Sequence, residues 1–284
     1  TLLIGAKFQI LATGGPNQPD SQIEYSIEGK SSKVASANPI GIITGLTLGK
    51  TKVTGRIVGT NKHTDEKVIV SEDTVIVPLE QAGPGCVIGI HKTTGQEQWR
   101  LPREGAEKAG YSTPLVLRSP ENPRVICTSN VYGVYEIDPR TGKVLWENRC
   151  FPRRTVASPI EAAGLFIGTS GNGGGNNLLV AIRPPKRPDQ KAEIAYQIDT
   201  STAPYVPTPL ESNGRLYLWG DRGVVTCVQA KDGNLLWKGR VGGNFSSSPI
   251  AIGECIINVS SDGEIVVIAD SDTLEILGRT NLGE

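Results

Sequence analysis

The sequence predicts an all-β chain in two parts, a β-sandwich over residues 1–82 followed by a partial β-propeller of about four blades over 83–284. Three observations carry this. The 284 residues include 34 Gly and 19 Pro among short Val-, Ile- and Thr-rich runs, the mark of many strands and turns. Residues 1–80 hold neither Cys nor Trp, whereas all five Cys and all four Trp lie at or beyond Cys86. Downstream of that break, one strand-turn-aromatic pattern returns every 40 to 50 residues.

The first part runs through "KFQILAT", "QIEYSI", "GIITGL", "KTKVTGRIVG" and "EKVIVSEDTVIVPL", apolar or alternating segments separated by Gly, Asn, Pro and Asp. About seven short strands in this length predict a sandwich. Its seam with the second part is "VPLEQAGPGC", where Pro and Gly cluster between strand-like runs. No catalytic cluster occurs in it, and His63 in "GTNKHTDEK" reads as a solvated loop residue.

Two anchors recur in the second part. A turn ends in an aromatic in "KTTGQEQW", "PRTGKVLW", "PDQKAEIAY" and "AKDGNLLW", which place Trp99, Trp146, Tyr196 and Trp237, with a faded copy ending at Leu277. A strand opener pairs a small hydroxyl residue with Pro114, Pro159, Pro209 or Pro249. Gly95, Gly142 and Gly233 supply the positive φ of the tight turn, and the aromatic is expected to lie flat between adjacent blades. Proline removes a backbone donor where the chain enters a strand, a position that tolerates the loss. Four complete units are expected near 101–146, 147–196, 197–237 and 238–277, after a partial one at 86–99.

The segment "KVASANPIGIITGLTLGKTKVTGRIVG" resembles the bacterial group 2 immunoglobulin-like repeat and, with "EKVIVSEDTVIVPL" after it, an immunoglobulin-like repeat of the nuclear-pore membrane glycoprotein. Such domains act as spacers or adhesive modules. "GIHKTTGQEQW", "YEIDPRTGKVLW" and "CVQAKDGNLLW" resemble the repeat of the pyrroloquinoline-quinone-like (PQQ-like) propellers, and the run from Ala203 onward is similar to exported propellers related to the outer-membrane assembly lipoprotein. That family closes its ring with eight blades, so the resemblance implies about half a ring, completed by a protein partner, by self-association or by residues outside this sequence. Joining this half to a nucleoporin-like module also fits a fused chain.

Charge excludes several classes. Twenty-nine basic residues balance 29 acidic ones without long runs of either sign, so no nucleic-acid partner is expected. No apolar run is long enough to span a membrane as a helix. The chain starts at Thr1 without any Met, which suggests a processed product or a fragment of something longer. Cys86, Cys127, Cys150, Cys227 and Cys255 are scattered and odd in number, and most read as buried apolar fillers rather than zinc ligands or a disulfide framework.

Two loops stand out as interaction candidates. "TSGNGGGNNLL" lacks the third glycine of a dinucleotide loop and leads into a strand, so it reads as a hairpin in which Asn172, Asn176 and Asn177 could meet a ligand. "NRCFPRRTVASP" sets Arg149, Arg153 and Arg154 between two blades, where propellers bind peptides or anions. "HKTTG" belongs to a blade turn rather than to a serine enzyme, and Asn244 and Asn258 match the glycosylation pattern. The quinone enzymes of the superfamily imply a disulfide between adjacent cysteines and an acidic calcium site; neither can be matched here, so no catalytic, cofactor or metal residue is assigned. The expectation is an exported, non-enzymatic scaffold. The alternatives are a quinone-dependent alcohol or sugar dehydrogenase fragment completed by missing blades, and a mechanical spacer.

Overall fold

The computed structural model describes residues 73–81, 83–106, 109–117, 123–172, 175–187, 189–199 and 202–283, together with Thr200 and the strands between residues 7 and 71 as backbone. Every regular element among them is a β-strand.

Ahead of residue 67 there are two three-stranded antiparallel sheets. One has the order β1-β4-β3, from β1 (Lys7–Gln9), β3 (Ala35–Ala37) and β4 (Ile42–Gly45); the other has the order β2-β5-β6, from β2 (Ile23–Ile27), β5 (Val53–Ile57) and β6 (His63–Glu66). The side chains and loops that carry the immunoglobulin-like resemblance lie outside the described residues, as does the side chain of His63.

Five four-stranded antiparallel sheets follow. The first has the order β10-β9-β8-β7, from β7 (Ile69–Ser71), β8 (Thr74–Leu79), β9 (Cys86–His91) and β10 (Glu97–Pro102). This corrects the sequence reading twice. The unit expected as a fragment at 86–99 is a complete sheet, so the described propeller portion has five blades rather than about four. The boundary placed near residue 82 also falls inside that sheet. The Pro- and Gly-rich stretch there joins β8 to β9, whose residues pair from Thr74↔His91 to Leu79↔Cys86. A turn between paired strands and a linker between domains share the same breaker residues, and only the pairing separates them.

The second sheet holds β11 (Leu115–Leu117), β12 (Arg124–Ser129), β13 (Gly133–Ile137) and β14 (Val144–Asn148) in consecutive order. The third holds β15 (Ile160–Ala162), β16 (Leu165–Ser170), β17 (Asn177–Arg183) and β18 (Glu193–Thr200). The fourth holds β19 (Leu210–Ser212), β20 (Arg215–Trp219), β21 (Val224–Gln229) and β22 (Leu235–Arg240). The fifth holds β23 (Ile250–Ile252), β24 (Cys255–Val259), β25 (Glu264–Ala269) and β26 (Ile276–Asn281). Each opener proline stands immediately before the first, short strand of its sheet. By compactness the chain divides into two units, one of Thr1–Glu107 with Val116–Val125 and Ile137–Lys143, the other of the remaining residues, so the division passes through the second sheet.

In the second unit the core lies between consecutive sheets. Leu216 and Leu218 of β20 join Ile167, Leu179 and Ala181 of the third sheet, while the alternate residues Tyr217 and Trp219 join Ile256, Val266 and Ile268 of the fifth. A strand buried on both faces needs apolar residues at every position, which is why "RLYLW" does not alternate. Among the described residues the fifth sheet packs its core face on the fourth. Burial in β24 alternates, and Ile250 and Ile252 of β23 remain 54% and 58% exposed.

Candidate interaction face and blade docking

The repeated turn has one geometry at three sites. The amide of Gly95, Gly142 or Gly233 donates to the carbonyl of His91, Asp138 or Gln229 at 2.8–2.9 Å, and the glycine φ is 73°, 71° or 74°. Only residues without a Cβ hold that φ at little cost. In the Gly142 turn the Asp138 carboxylate also accepts the Arg140 N–H at 2.8 Å and the Thr141 hydroxyl at 2.9 Å.

The aromatics dock on these turns one blade further on. Trp99 Nε1 donates to the Pro139 carbonyl at 2.9 Å, and a Cβ on Gly142 would stand 2.6 Å from Trp99 Cδ2. The other face of the indole lies on Gly89, its cross-strand partner in β9, where an added Cβ would stand 2.6 Å from Cζ2. Tyr196 repeats the arrangement: its hydroxyl donates to the Ala230 carbonyl at 2.8 Å, its ring lies against Gly233, and its cross-strand partner is Ala181. Burial, followed by the Asp232 charge, pushes the Tyr196 hydroxyl pKa up to about 12.

Two units depart from the pattern. Trp146 is followed by the Pro-rich hairpin 184–192, which has no Thr-Gly turn to receive it. It stacks on Phe166 at 5.8 Å, and its Nε1 donates to Glu136 Oε2 at 2.6 Å. In the last unit Trp237 Nε1 donates to the Ser271 carbonyl at 3.0 Å, and Leu277 is the bulged residue: Gly278, opposite Val267, holds the register position that Trp237 holds opposite Cys227. The faded repeat is therefore a glycine one residue beyond Leu277, because the turn before it is one residue longer.

That last unit is tied to its predecessor by a buried carboxylate instead. Asp270, its side chain 1% exposed, accepts from Ser212 Oγ and Tyr217 Oη at 2.6 Å and from Asn213 Nδ2 at 2.7 Å, with Arg215 at 3.4 Å. Burial works against the charge, but these donors and the guanidinium outweigh it and hold the Asp270 pKa below the ordinary carboxylate value. Nothing in the spacing of "ADSDT" signals this role. The openers conceal a second tie. Ser158 N donates to Thr208 Oγ1 at 3.1 Å, and Thr208 N donates to Ser248 Oγ at 2.9 Å, linking three successive sheets through the residue before each proline.

The two candidate loops meet at one end of the third sheet. Arg154 pairs with Gly171 in an isolated bridge, and the Gly171 N–H donates to the Arg154 carbonyl at 2.9 Å. Arg153 donates its N–H to Ser170 Oγ at 3.1 Å, and its guanidinium donates to the Asn176 carbonyl at 3.2 Å. Asn176 turns the chain with φ 57°, and Gly175 N–H donates to the Asn172 carbonyl at 3.2 Å. Asn177 donates through Nδ2 to the Ala203 carbonyl at 3.0 Å, fixing the hairpin to the next connector. A side chain on Gly171 would meet Asn177 and Tyr205, which explains the glycine there. Asp221 holds that next connector, accepting the N–H groups of Tyr205 at 2.9 Å and Val206 at 3.0 Å.

Two tyrosines that the sequence did not single out complete this end. The Arg154 guanidinium lies 5.4 Å from the ring centre of Tyr111, which is 41% exposed, and Arg149 lies 5.2 Å from that of Tyr132. Arg149 also pairs with Glu147 at 3.0 Å. Stacking on an aromatic face leaves the guanidinium edges free to take carboxylates or carbonyls. Among the described residues, no group of three or more His, Cys, Asp or Glu is placed to hold a metal ion, and no helix is long and apolar enough to cross a membrane.

A family model described as outer membrane protein assembly factor BamB matches residues 42–182 and 190–277. Among solved structures, BamB from Moraxella catarrhalis is similar at 15% identity over 92% of this chain and 79% of its own, with a TM-score of 0.55. The quinohemoprotein alcohol dehydrogenase of Comamonas testosteroni is similar at 12% identity over 76% of this chain and 42% of its own, TM-score 0.56. Sqt1 of Saccharomyces cerevisiae matches at 10% identity over 86% and 72%, TM-score 0.58. At these identities the likenesses speak for the fold alone.

Proposed function

The chain belongs to the family of PQQ-like propellers described as outer membrane protein assembly factor BamB, and from that premise we propose that it is a non-enzymatic protein-interaction scaffold of the cell envelope. The observation that carries this reading is the pair of arginine–tyrosine stacks at one end of the second unit, Arg149 on Tyr132 and Arg154 on Tyr111. Arginine and tyrosine are the residue types that dominate binding energy at protein interfaces. Here the segments that present them are tied down by backbone bonds, Gly171 N–H to the Arg154 carbonyl and Tyr111 N–H to the Thr155 carbonyl, both at 2.9 Å.

A second contact of the same scaffold is the outward side of the fifth sheet, where Ile250 and Ile252 are exposed. A protein partner or a second copy covers it in this reading, since apolar sheet faces of this kind are otherwise adhesive. Export to the periplasm or another envelope compartment follows from the family.

The dehydrogenase reading would need an acidic calcium and quinone site. Three acidic groups serve the fold instead: Asp138 the Gly142 turn, Asp221 a connector and Asp270 a blade junction. The chain spans 42% of the dehydrogenase it resembles.

The test is site-specific photo-crosslinking in the organism that encodes the chain, with the reactive group at position 149. An envelope protein captured there, and lost when Arg153 and Arg154 are both changed to Ala, supports the reading. Failure to capture any protein, together with stoichiometric binding of pyrroloquinoline quinone and calcium and dye-linked alcohol oxidation, would overturn it.

A further inference from the structure

At the opposite end of the third sheet from the arginine–tyrosine face, β17 and β18 are joined by a hairpin unlike the other turns. A half-open surface hollow of about 560 Å³ lies against it, lined by Arg183, Pro184, Pro185, Lys186, Gln190, Lys191 and Glu193, whose charged side chains are all exposed. We propose that this hollow is a binding site for a phosphate group, either the dianion of a phosphomonoester or the singly charged phosphodiester of a headgroup, held by Arg183, Lys186 and Lys191.

The departure from the repeat is the first argument. Where the other units end their third strand in a tight turn, this one runs through "PPKRPDQKA", and the cost is visible at Trp146, which has no glycine seat on this turn and is satisfied by Glu136 instead. Local rules that a repeat obeys elsewhere are most often broken where a site is built.

Charge is the second. Three cations and one carboxylate line the hollow, leaving an excess of two positive charges to attract a phosphate anion. Arg183 and Glu193 are direct cross-strand partners at the base of the hairpin, and among the described residues no ion pair forms to Arg183, Lys186 or Lys191. The neighbouring Arg187 is different, being paired with Asp189 at 3.3 Å. Charge-assisted bonds from Lys and Arg to phosphate oxygens are the strong class of hydrogen bond.

Shape is the third. Pro184 and Pro185 have fixed φ and form a stiff wall, and the hairpin is braced from within, Lys186 N donating to Gln190 Oε1 at 3.2 Å and Gln190 N to the Arg187 carbonyl at 3.1 Å. With its Oε1 so engaged, Gln190 keeps its Nε2 hydrogens for an acceptor such as a phosphate oxygen.

The experiment is calorimetric titration of the full chain with inorganic phosphate against chloride at equal ionic strength. It is run beside flotation with vesicles of phosphatidylglycerol in phosphatidylcholine and of phosphatidylcholine alone. The variant is Lys186→Gln with Lys191→Gln; both side chains are exposed, and an unchanged melting curve confirms the fold, with either single variant as substitute. Saturable phosphate binding weakened at least tenfold by the variant assigns a site for a soluble phosphate. Binding only to the phosphatidylglycerol vesicles, lost in the variant, assigns the same chemistry to a lipid headgroup. Absence of both, or binding that the variant leaves unchanged, overturns the proposal. Arg154→Ala should leave this binding intact, so this site and the protein-interaction face fail independently.

Discussion

Trp99 is held between two glycines from different sheets, Gly89 beneath it in its own sheet and Gly142 above it in the next turn, with its Nε1 on the Pro139 carbonyl at 2.9 Å. The seat is shaped by what is missing. Two absent Cβ atoms let the indole lie flat, and the same φ near 71° that makes the turn tight also requires glycine above it.

Gly142→Ala should therefore destabilise the chain by about 2–4 kcal/mol, combining the left-handed backbone cost with overpacking against the indole. Gly164→Ala is the control: its φ is 73°, but nothing stands within 4 Å of an added Cβ, so only the backbone cost of about 1–2 kcal/mol applies. Urea titration of the two variants decides it. Equal losses would mean that the indole does not need the seat.

Asp270 makes stability depend on acid. Its folded pKa lies below the unfolded value of about 3.9, so its contribution is complete above that pH and is lost as pH falls through the depressed folded value. Asp270→Asn should cost about 2–4 kcal/mol at pH 7 and flatten the stability profile below pH 4. A variant with the wild-type acid slope would assign that slope to other carboxylates.

Tyr196 acts at the other end of the scale. With a folded pKa of about 12 against about 10 unfolded, its contribution is whole below pH 10 and disappears as pH rises from 10 to 12. Tyr196→Phe should lose about 1 kcal/mol at pH 8, through the bond to Ala230, and show a shallower decline above pH 10. Denaturation midpoints at pH 8, 10 and 11.5 supply the comparison.

All five cysteines are free thiols. Burial pushes Cys150 up to about 11 and Cys227 up to about 12. At pH 8 both are protonated, with Cys227 fully buried and Cys150 half-buried, and the thiolate is the reactive form. Titration with a thiol reagent at pH 8 should leave these two unmodified in the native chain and expose them in urea. Rapid native labelling of Cys227, which is fully buried in β21, would contradict the packing described.

The repeat made much of this legible in advance. The glycine turns, the aromatics and the hydroxyl-proline openers each perform a local task, and a local task leaves its residue type at a fixed spacing. The resemblance to the PQQ-like propellers rests on the motifs found at those spacings, and the family model covers them. Legibility ended where a residue works through its neighbours in space. Asp270 reads as one more acidic turn residue until four side chains of the preceding hairpin converge on it, and Ser158, Thr208 and Ser248 read as strand openers until the Thr208 and Ser248 hydroxyls accept the amides of Ser158 and Thr208 from the preceding sheets.

What the sequence by itself determined is the β class and the repeat, because turn geometry and strand periodicity are set by nearest neighbours along the chain. What only the tertiary structure decided is where the units begin and how they are joined. The stretch near residue 82 contains the breakers of a linker, yet it connects two strands of one sheet, and Gly278 rather than Leu277 takes the aromatic's place. Both outcomes depend on which backbone groups find partners across the sheet, and hydrogen-bond register is a property of paired strands that neither strand carries alone.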